Sequence, residues 1–347
     1  MRVILDVNPD KYSKINRLVE DKRYDSVSQF IDAAIENQLH LESVSPIEGG
    51  SDIDDSLGTG FNSHIAPSEL GDSVITAASP SPVTTVDEPM AGAVGSDHLW
   101  MMTNRFLPIK VALRAIGSYL STNPSSKGWT NITAVYEAVM REAIKTGRFL
   151  HSADTRRSVG DKLAIGFPSS RDEKSQSRFK WFCIGVLKSN GRIAGGPAKL
   201  CFVNIARDSS GNVVIGLTRA GLDFSNLRNP VLDLNDLSTP TALSQAETDY
   251  LWSHIARVLP TERRLMVSVM DSIARGLNTP NVLTELVQSI LNKDDAESIS
   301  HRASLVSRLA EMGLVVRRKN GLRVTYQLTD RGRAVLASQA PQASLAR

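Results

Sequence analysis

The chain has 347 residues, 41% of them hydrophobic and 22% charged, with a net charge of +3. That composition suits a chain that buries a core and is long enough for two or three domains. No run approaches the roughly 18 apolar residues of a membrane helix. The N-terminus, MRVILDVNPDKY, has no signal-peptide anatomy, and Cys183 and Cys201 sit in apolar settings (WFCIG and KLCFV) without metal-ligand spacing. A helical membrane protein, a disulfide scaffold and a cysteine-zinc module are thereby excluded, and a cytoplasmic protein without cofactor or metal is expected.

The small net charge hides an asymmetry. Residues 1–43 carry six cations against eight acids, and residues 44–97 carry nine acids and no Lys or Arg. Residues 98–240 carry twenty cations against ten acids, and residues 241–347 fourteen against ten. An acidic tether joined to two basic regions points to a polyanionic partner.

Val3, Leu5 and Val7 alternate with Arg2, Ile4 and Asp6, which predicts a short strand. Asn8-Pro9-Asp10 starts a helix with Ile15, Leu18 and Val19 on one face. Ser26 or Ser28 caps a second helix carrying Phe30, Ile31, Ala34, Ile35 and Leu39. Strand, helix and helix within 43 residues, above all the stretch YDSVSQFIDAAIENQL, resembles the ribbon-helix-helix family. The resemblance implies an obligate homodimer through residues 1–43. It also implies that Arg2, Ile4 and Asp6 face a major groove while amides near Ser26 and Ser28 grip phosphate. Ile4, Asp6 and the net acidity depart from that pattern, so dimerisation alone stands beside groove reading. Residues 44–97, rich in Ser, Pro, Gly and acids, predict a disordered linker.

Residues 98–240 predict a helix from near Arg105 with Leu107, Val111, Leu113, Ala115 and Leu120, and a second capped by Asn131 or Thr133. A third is expected from about Glu173 to Lys188, its apolar stripe Phe179, Phe182, Cys183, Val186 and Leu187, its basic face Lys174, Arg178, Lys180 and Lys188. Asn190-Gly191 would end it. Strands Leu200–Ile205 and Val213–Leu217 follow, joined by a turn containing Arg207. The glycine-rich GRIAGGPAK lacks the spacing of a phosphate loop.

Residues 241–337 predict helices capped by Ser244, opened by Pro260, and opened by Thr279-Pro280. A fourth begins near Asp295, with Leu305, Val306, Leu309 and Met312 as its apolar stripe and Gly313 as its stop. Its polar face carries Ser300, His301, Ser304 and Arg308, with Arg302 at the flank. Arg317-Arg318-Lys319-Asn320-Gly321 then forms a tight turn, Asn-Gly being a strong hairpin signal. Arg323, Val324, Tyr326 and Leu328 lie on the return strand. Helix followed by basic hairpin resembles the recognition helix and wing of a winged helix-turn-helix domain. The shared Leu-Thr-x-x-Gly pattern, Leu217–Gly221 and Leu328–Gly332, extends that resemblance to residues 98–240 as a more divergent copy.

The resemblance implies a mainly α fold with small β hairpins (α+β). It has a ribbon-helix-helix head (1–43), a disordered linker (44–97), two winged-helix domains (98–240 and 241–337) and a disordered tail (338–347). It implies double-stranded DNA as partner, bound by the helix and basic wing of residues 300–323 and by the basic residues of the middle domain. The six histidines are scattered, and no HExxH, G-x-S-x-G or dinucleotide fingerprint occurs, so no enzyme is expected. The expected function is a dimeric, sequence-specific transcriptional regulator of prokaryotic type. The alternative is an adaptor subunit of a plasmid-maintenance, mobile-element or defence complex, docking proteins through the winged-helix faces.

Overall fold

A computed structural model describes residues 83–90, 92–154, 157, 162–169, 172–239, 241–321 and 323–338, together with Tyr12, Ser13, Asn16, Val19, Glu20, Ser26 and Val27. Contacts divide the chain into residues 1–58 and residues 59–347. In the first unit Tyr12, Ser13, Asn16, Val19, Glu20 and Val27 are helical, and Ser26 is exposed. The expected strand with Arg2, Ile4 and Asp6, the cap Ser28, the linker up to residue 82 and the tail beyond Ser338 lie outside the described residues. The second unit is an α+β body with small antiparallel sheets, and no helix among the described residues is long and apolar enough to cross a membrane.

Its central element is α1 (Leu107–Thr122), opened by Pro108 and buried on all sides, Lys110 and Arg114 included. Thr130–Asn131 form β1, and the Asn131 side chain accepts from the Thr133 amide at 2.8 Å to cap α2 (Ile132–Ala153). The third helix is shorter than its apolar stripe predicts. It runs as α3 (Glu173–Phe179) and a π-helical turn (Lys180–Ile184), then stops at Gly185, whose φ is +118°. A Cβ there would lie 3.0 Å from the Ala194 carbonyl oxygen, so a close backbone approach ends the helix. Val186, Leu187 and Lys188 belong instead to a hairpin of β2 (Val186–Leu187) and β3 (Ile193–Ala194), with Asn190-Gly191 at its turn. One buried turn, α4 (Gly196–Lys199), precedes β4 (Val203–Arg207) and β5 (Val213–Leu217). The sheet order is β1-β5-β4, and α5 (Arg219–Asn226) and α6 (Pro230–Leu234) follow.

The C-terminal part repeats this plan. After α7 (Gln245–Val258), held by a capping box between Ser244 and Glu247, come α8 (Pro260–Ala274), α9 (Pro280–Leu291) and α10 (Asp295–Glu311). The hairpin of β6 (Val315–Asn320) and β7 (Arg323–Leu328) and the closing α11 (Asp330–Ala337) complete it. The Tyr326 amide donates to the Asn278 carbonyl at 3.0 Å, so the segment between α8 and α9 edges β7 much as β1 edges β5.

Both parts join helix to hairpin in the same way. Thr218 and Thr329 each donate their amide to a carbonyl, of Phe202 and of Leu314, at 3.1 Å. Their hydroxyls donate to the preceding carbonyls, Cys201 at 2.6 Å and Gly313 at 2.7 Å, and accept from the amides of Gly221 and Gly332. A Cβ on Gly221 would stand 2.0 Å from the Phe202 carbonyl oxygen, and one on Gly332 would stand 2.0 Å from that of Leu314. Cys201 (φ +52°) and Gly313 (φ +69°) occupy the same left-handed position. This is the physical content of the Leu-Thr-x-x-Gly repeat: a threonine cap, and a glycine where backbone crosses backbone.

Two expectations are corrected. Residues 83–90 and 92–97 are not linker but part of the body. The Val86 amide donates to the Leu217 carbonyl at 2.8 Å, its side chain sits over Gly216, and Glu88 pairs with Arg257 at 2.7 Å. The regions 98–240 and 241–337 share one apolar core, running from Leu99 and Phe106 through Leu217 to Leu309 and Leu328. They are locked further by the fully buried pair Lys110–Glu247 at 2.8 Å. Leaving either of those charges without its partner costs about 3–5 kcal/mol, so the two regions are not independent heads.

Candidate nucleic-acid interface

The β6–β7 hairpin sets its side chains by strand alternation. Arg317 pairs with Tyr326 and Lys319 with Val324 across one face, and Arg318 with Thr325 and Asn320 with Arg323 across the other. Asn320 is therefore still in the ladder, and the turn begins one residue later than the Asn-Gly signal places it, at Gly321 (φ +60°). The root of the hairpin is fixed, since Val315, Tyr326 and Leu328 are buried, the Thr329 cap closes the last strand, and Arg302 donates to the Tyr326 hydroxyl at 3.4 Å. Beyond that root Arg317, Arg318, Lys319 and Arg323 are exposed. Arg318 donates to Gln327 at 3.3 Å, while Arg317, Lys319 and Arg323 have no hydrogen-bond or ion-pair partner among the described residues. No acid occurs between Val315 and Leu328. Cations thus stand on both faces of the two-stranded tip, three of the four without a partner among the described residues, and guanidinium and ammonium groups so exposed are the chemistry that pairs with phosphate oxygens.

A groove of about 620 Å³ runs between this hairpin and the ends of α8 and α11, lined among others by Ile273, Asn278, Arg318, Gln327, Thr329 and Arg333. Arg333 is paired with Asp330, which leaves Arg318 as the cation that faces the groove without an ion pair. Sequence reasoning passed over Arg333 because it follows the hairpin rather than lying in it.

The polar face expected on α10 is not presented to solvent, because Asp97–Leu107 packs along it. Arg308, 1% exposed, pairs with Glu262 at 2.7 Å and donates to the Thr103 carbonyl. Ser304 donates to the Met101 carbonyl, and Arg105 to the Ser307 carbonyl at 3.0 Å. Glu311 accepts from the amides of Phe106 and Leu107, and its burial raises the carboxyl above the ordinary range. His301 stacks edge-on against His98 with ring centroids 5.4 Å apart. Burial, then the neighbouring His98 and Arg308, pull its pKa down to about 4. Arg302 reaches Thr284 at 3.3 Å, and of the expected residues only Ser300 stays half exposed with no side-chain partner among the described residues. The stripe that looked like a solvent face is the joint between the two halves.

The basic residues of the middle region are scattered over separate elements. Lys174 is exposed on α3 and Arg178 half-buried. Lys180 lies 4.5 Å above the Tyr136 ring, with its pKa lowered by burial, and Lys188 starts the β2–β3 turn. Arg207 is exposed but donates to the Gly211 carbonyl at 2.9 Å. Part of the basic excess is internal. Lys110 donates to Phe224 and Leu227 carbonyls beside Glu247, Arg114 forks onto Asp233 with both bonds 2.7 Å, and Lys199 donates to Ser96 and to the His98 carbonyl. Burial lowers both Lys110 and Lys199 to about 8. Arg192, exposed beside Asn190-Gly191, is the cation that sequence reasoning left out there, and the Asn-Gly hairpin signal was the clue to it.

No family model matches the chain, and no curated protein or solved structure is detectably similar to it.

Proposed function

We propose that this chain is a DNA-binding protein of winged-helix type that grips duplex DNA with the β6–β7 hairpin, dimerises through residues 1–43 and acts as a transcriptional regulator. The observation that carries the reading is the hairpin tip, where Arg317, Lys319 and Arg323 stand exposed on a fixed root and no acid occurs between Val315 and Leu328. Its support is the order of elements around it. Helix, edge segment, helix, helix, hairpin and capped helix occur in α8–α11, and the three-stranded order β1-β5-β4 repeats the arrangement upstream. Two heads in a dimer would add their affinities through a shared effective concentration.

The test is a mobility-shift titration with random duplex at two salt concentrations. Phosphate-driven binding falls steeply with salt. Binding that is absent, or indifferent to salt, overturns the reading and favours the adaptor. The adaptor reading draws on one observation of its own: the would-be recognition face of α10 already serves as a protein contact within this chain.

A further inference from the structure

Reading a base sequence in the major groove requires side chains that present paired donors or acceptors to base edges, chiefly Arg, Lys, Asn, Gln and the acids. On α10 those side chains are His301, Arg302, Arg308, Asp295, Glu297 and Glu311. Arg308 is tied to Glu262 and Thr103, and Arg302 to Thr284 and Tyr326. Glu311 caps the start of α1, and His301 meets His98 edge to face. Of the acids in the first turn, Glu297 pairs with Lys293 at 3.0 Å and Asp295 accepts from Gln288 at 2.8 Å. What α10 leaves exposed or half-exposed besides is small or apolar: Ala296, Ile299, Ser300, Ala303, Ser307 and Ala310. Two serine hydroxyls distinguish bases poorly, because each donates or accepts with any of them.

We propose that residues 83–338 hold DNA without reading its bases: α10 is the internal joint that seats Asp97–Leu107, and the β6–β7 hairpin supplies a phosphate grip that is indifferent to sequence. This rests on the reading that the hairpin binds DNA, and it specifies how. The joint does not open cheaply. Releasing Asp97–Leu107 removes the Thr103 carbonyl from Arg308 and uncaps Phe106 and Leu107, and it frees the Leu99 amide that donates to Glu262 at 3.0 Å. The hairpin tip offers Arg and Lys to the backbone. Even seated in a minor groove it meets a pattern that separates only A·T from G·C. Sequence preference in the full chain would then come from outside residues 83–338.

The experiment uses the full chain and a panel of unrelated duplexes of equal length, together with selection from a random pool. Three proteins are compared: wild type, Ser300→Ala/Ser307→Ala, and Arg317→Ala/Lys319→Ala/Arg323→Ala. Any spread of wild-type affinities across the panel, like any motif recovered from the pool, should be unchanged by the serine variant. The hairpin variant should lose affinity for every duplex by the same factor. Its logarithmic salt slope should be shallower by about 2.7, the value for three phosphate contacts. A motif that the serine variant alters or abolishes overturns the inference and leaves the hairpin reading standing. A hairpin variant that binds as tightly as wild type overturns the hairpin reading, and the inference with it. A spread across the panel that survives the serine substitutions is an outcome the inference predicts, because α10 is not its source.

Discussion

Two helix-to-hairpin joints in one chain use the same bonds and end in different chemistry. At Cys201–Gly221 the joint follows a single buried turn, α4, and its hairpin carries one exposed cation, Arg207, bonded to its own loop. At Gly313–Gly332 it follows the 17-residue α10, and its hairpin carries four exposed cations. The backbone device is therefore a matter of folding, and charge at the tip is a separate matter laid on top of it. A pattern such as Leu-Thr-x-x-Gly locates hairpins and says nothing of what they bind.

The comparison can be broken most sharply at the buried Arg308–Glu262 pair, whose two members lie in the C-terminal half and hold the Leu99 amide and the Thr103 carbonyl of the upstream one. Replacing Glu262 by Ala strands Arg308 in the core and should lower unfolding free energy by about 3–5 kcal/mol in denaturant titration. A loss below about 1 kcal/mol would mean that the joint is loose. Next come the two glycines, where Gly221→Ala and Gly332→Ala each force a methyl group onto a backbone carbonyl. Each should destabilise by about 3 kcal/mol or more, and a marked difference between them would show that the joints are not equivalent. The threonine caps follow, with Thr218→Ala and Thr329→Ala each costing about 1 kcal/mol.

The smallest effects separate Cys201 from Gly313, which share a left-handed backbone. Cys201→Gly relieves a strained φ while loosening the unfolded chain, so its net effect should stay within about 1 kcal/mol. Gly313→Ala imposes that strain and brings a Cβ to 2.9 Å from Thr241, so it should cost more.

Acid should weaken the joint. His301 titrates near 4 in the folded chain and near 6.5 unfolded, so the unfolded chain binds more protons between those values. Its contribution is intact above pH 6.5 and is lost as pH falls toward 4, on the order of 3 kcal/mol in all. His301→Gln should flatten the melting-temperature profile in that window, and an unchanged profile would contradict the buried, neutral His301.

Much of the fold was legible because it depends on local signals. Asn131, Ser244, Pro260, Thr279-Pro280 and Asp294 start helices where their side chains or fixed φ predict. The return strand Arg323–Leu328 follows from alternation, and Val213–Leu217 is a short apolar run beyond a polar turn. Gly185 was a stop signal hidden inside a convincing apolar stripe, and periodicity outweighed it until the backbone contact with Ala194 was visible. The candidate site was legible only at its tip. Arg308 and Arg317 look alike in a sequence, but one is sealed against Glu262 and the other is exposed. Only the path of Asp97–Leu107, more than 190 residues upstream in the chain, decides which is which. Lys110, Arg114 and Lys199 were counted as basic surface for the same reason, since a sum of charges cannot tell a buried partner from water.

The most direct measurement is a comparison of duplex affinity between Arg317→Glu/Lys319→Glu/Arg323→Glu and Arg207→Glu, with thermal melting as the control for folding. The account predicts that the triple reversal abolishes binding while melting as wild type, and that Arg207→Glu changes affinity by less than about threefold, one exposed charge being largely screened. Equal binding by the triple variant, or a larger loss from Arg207→Glu, would contradict it.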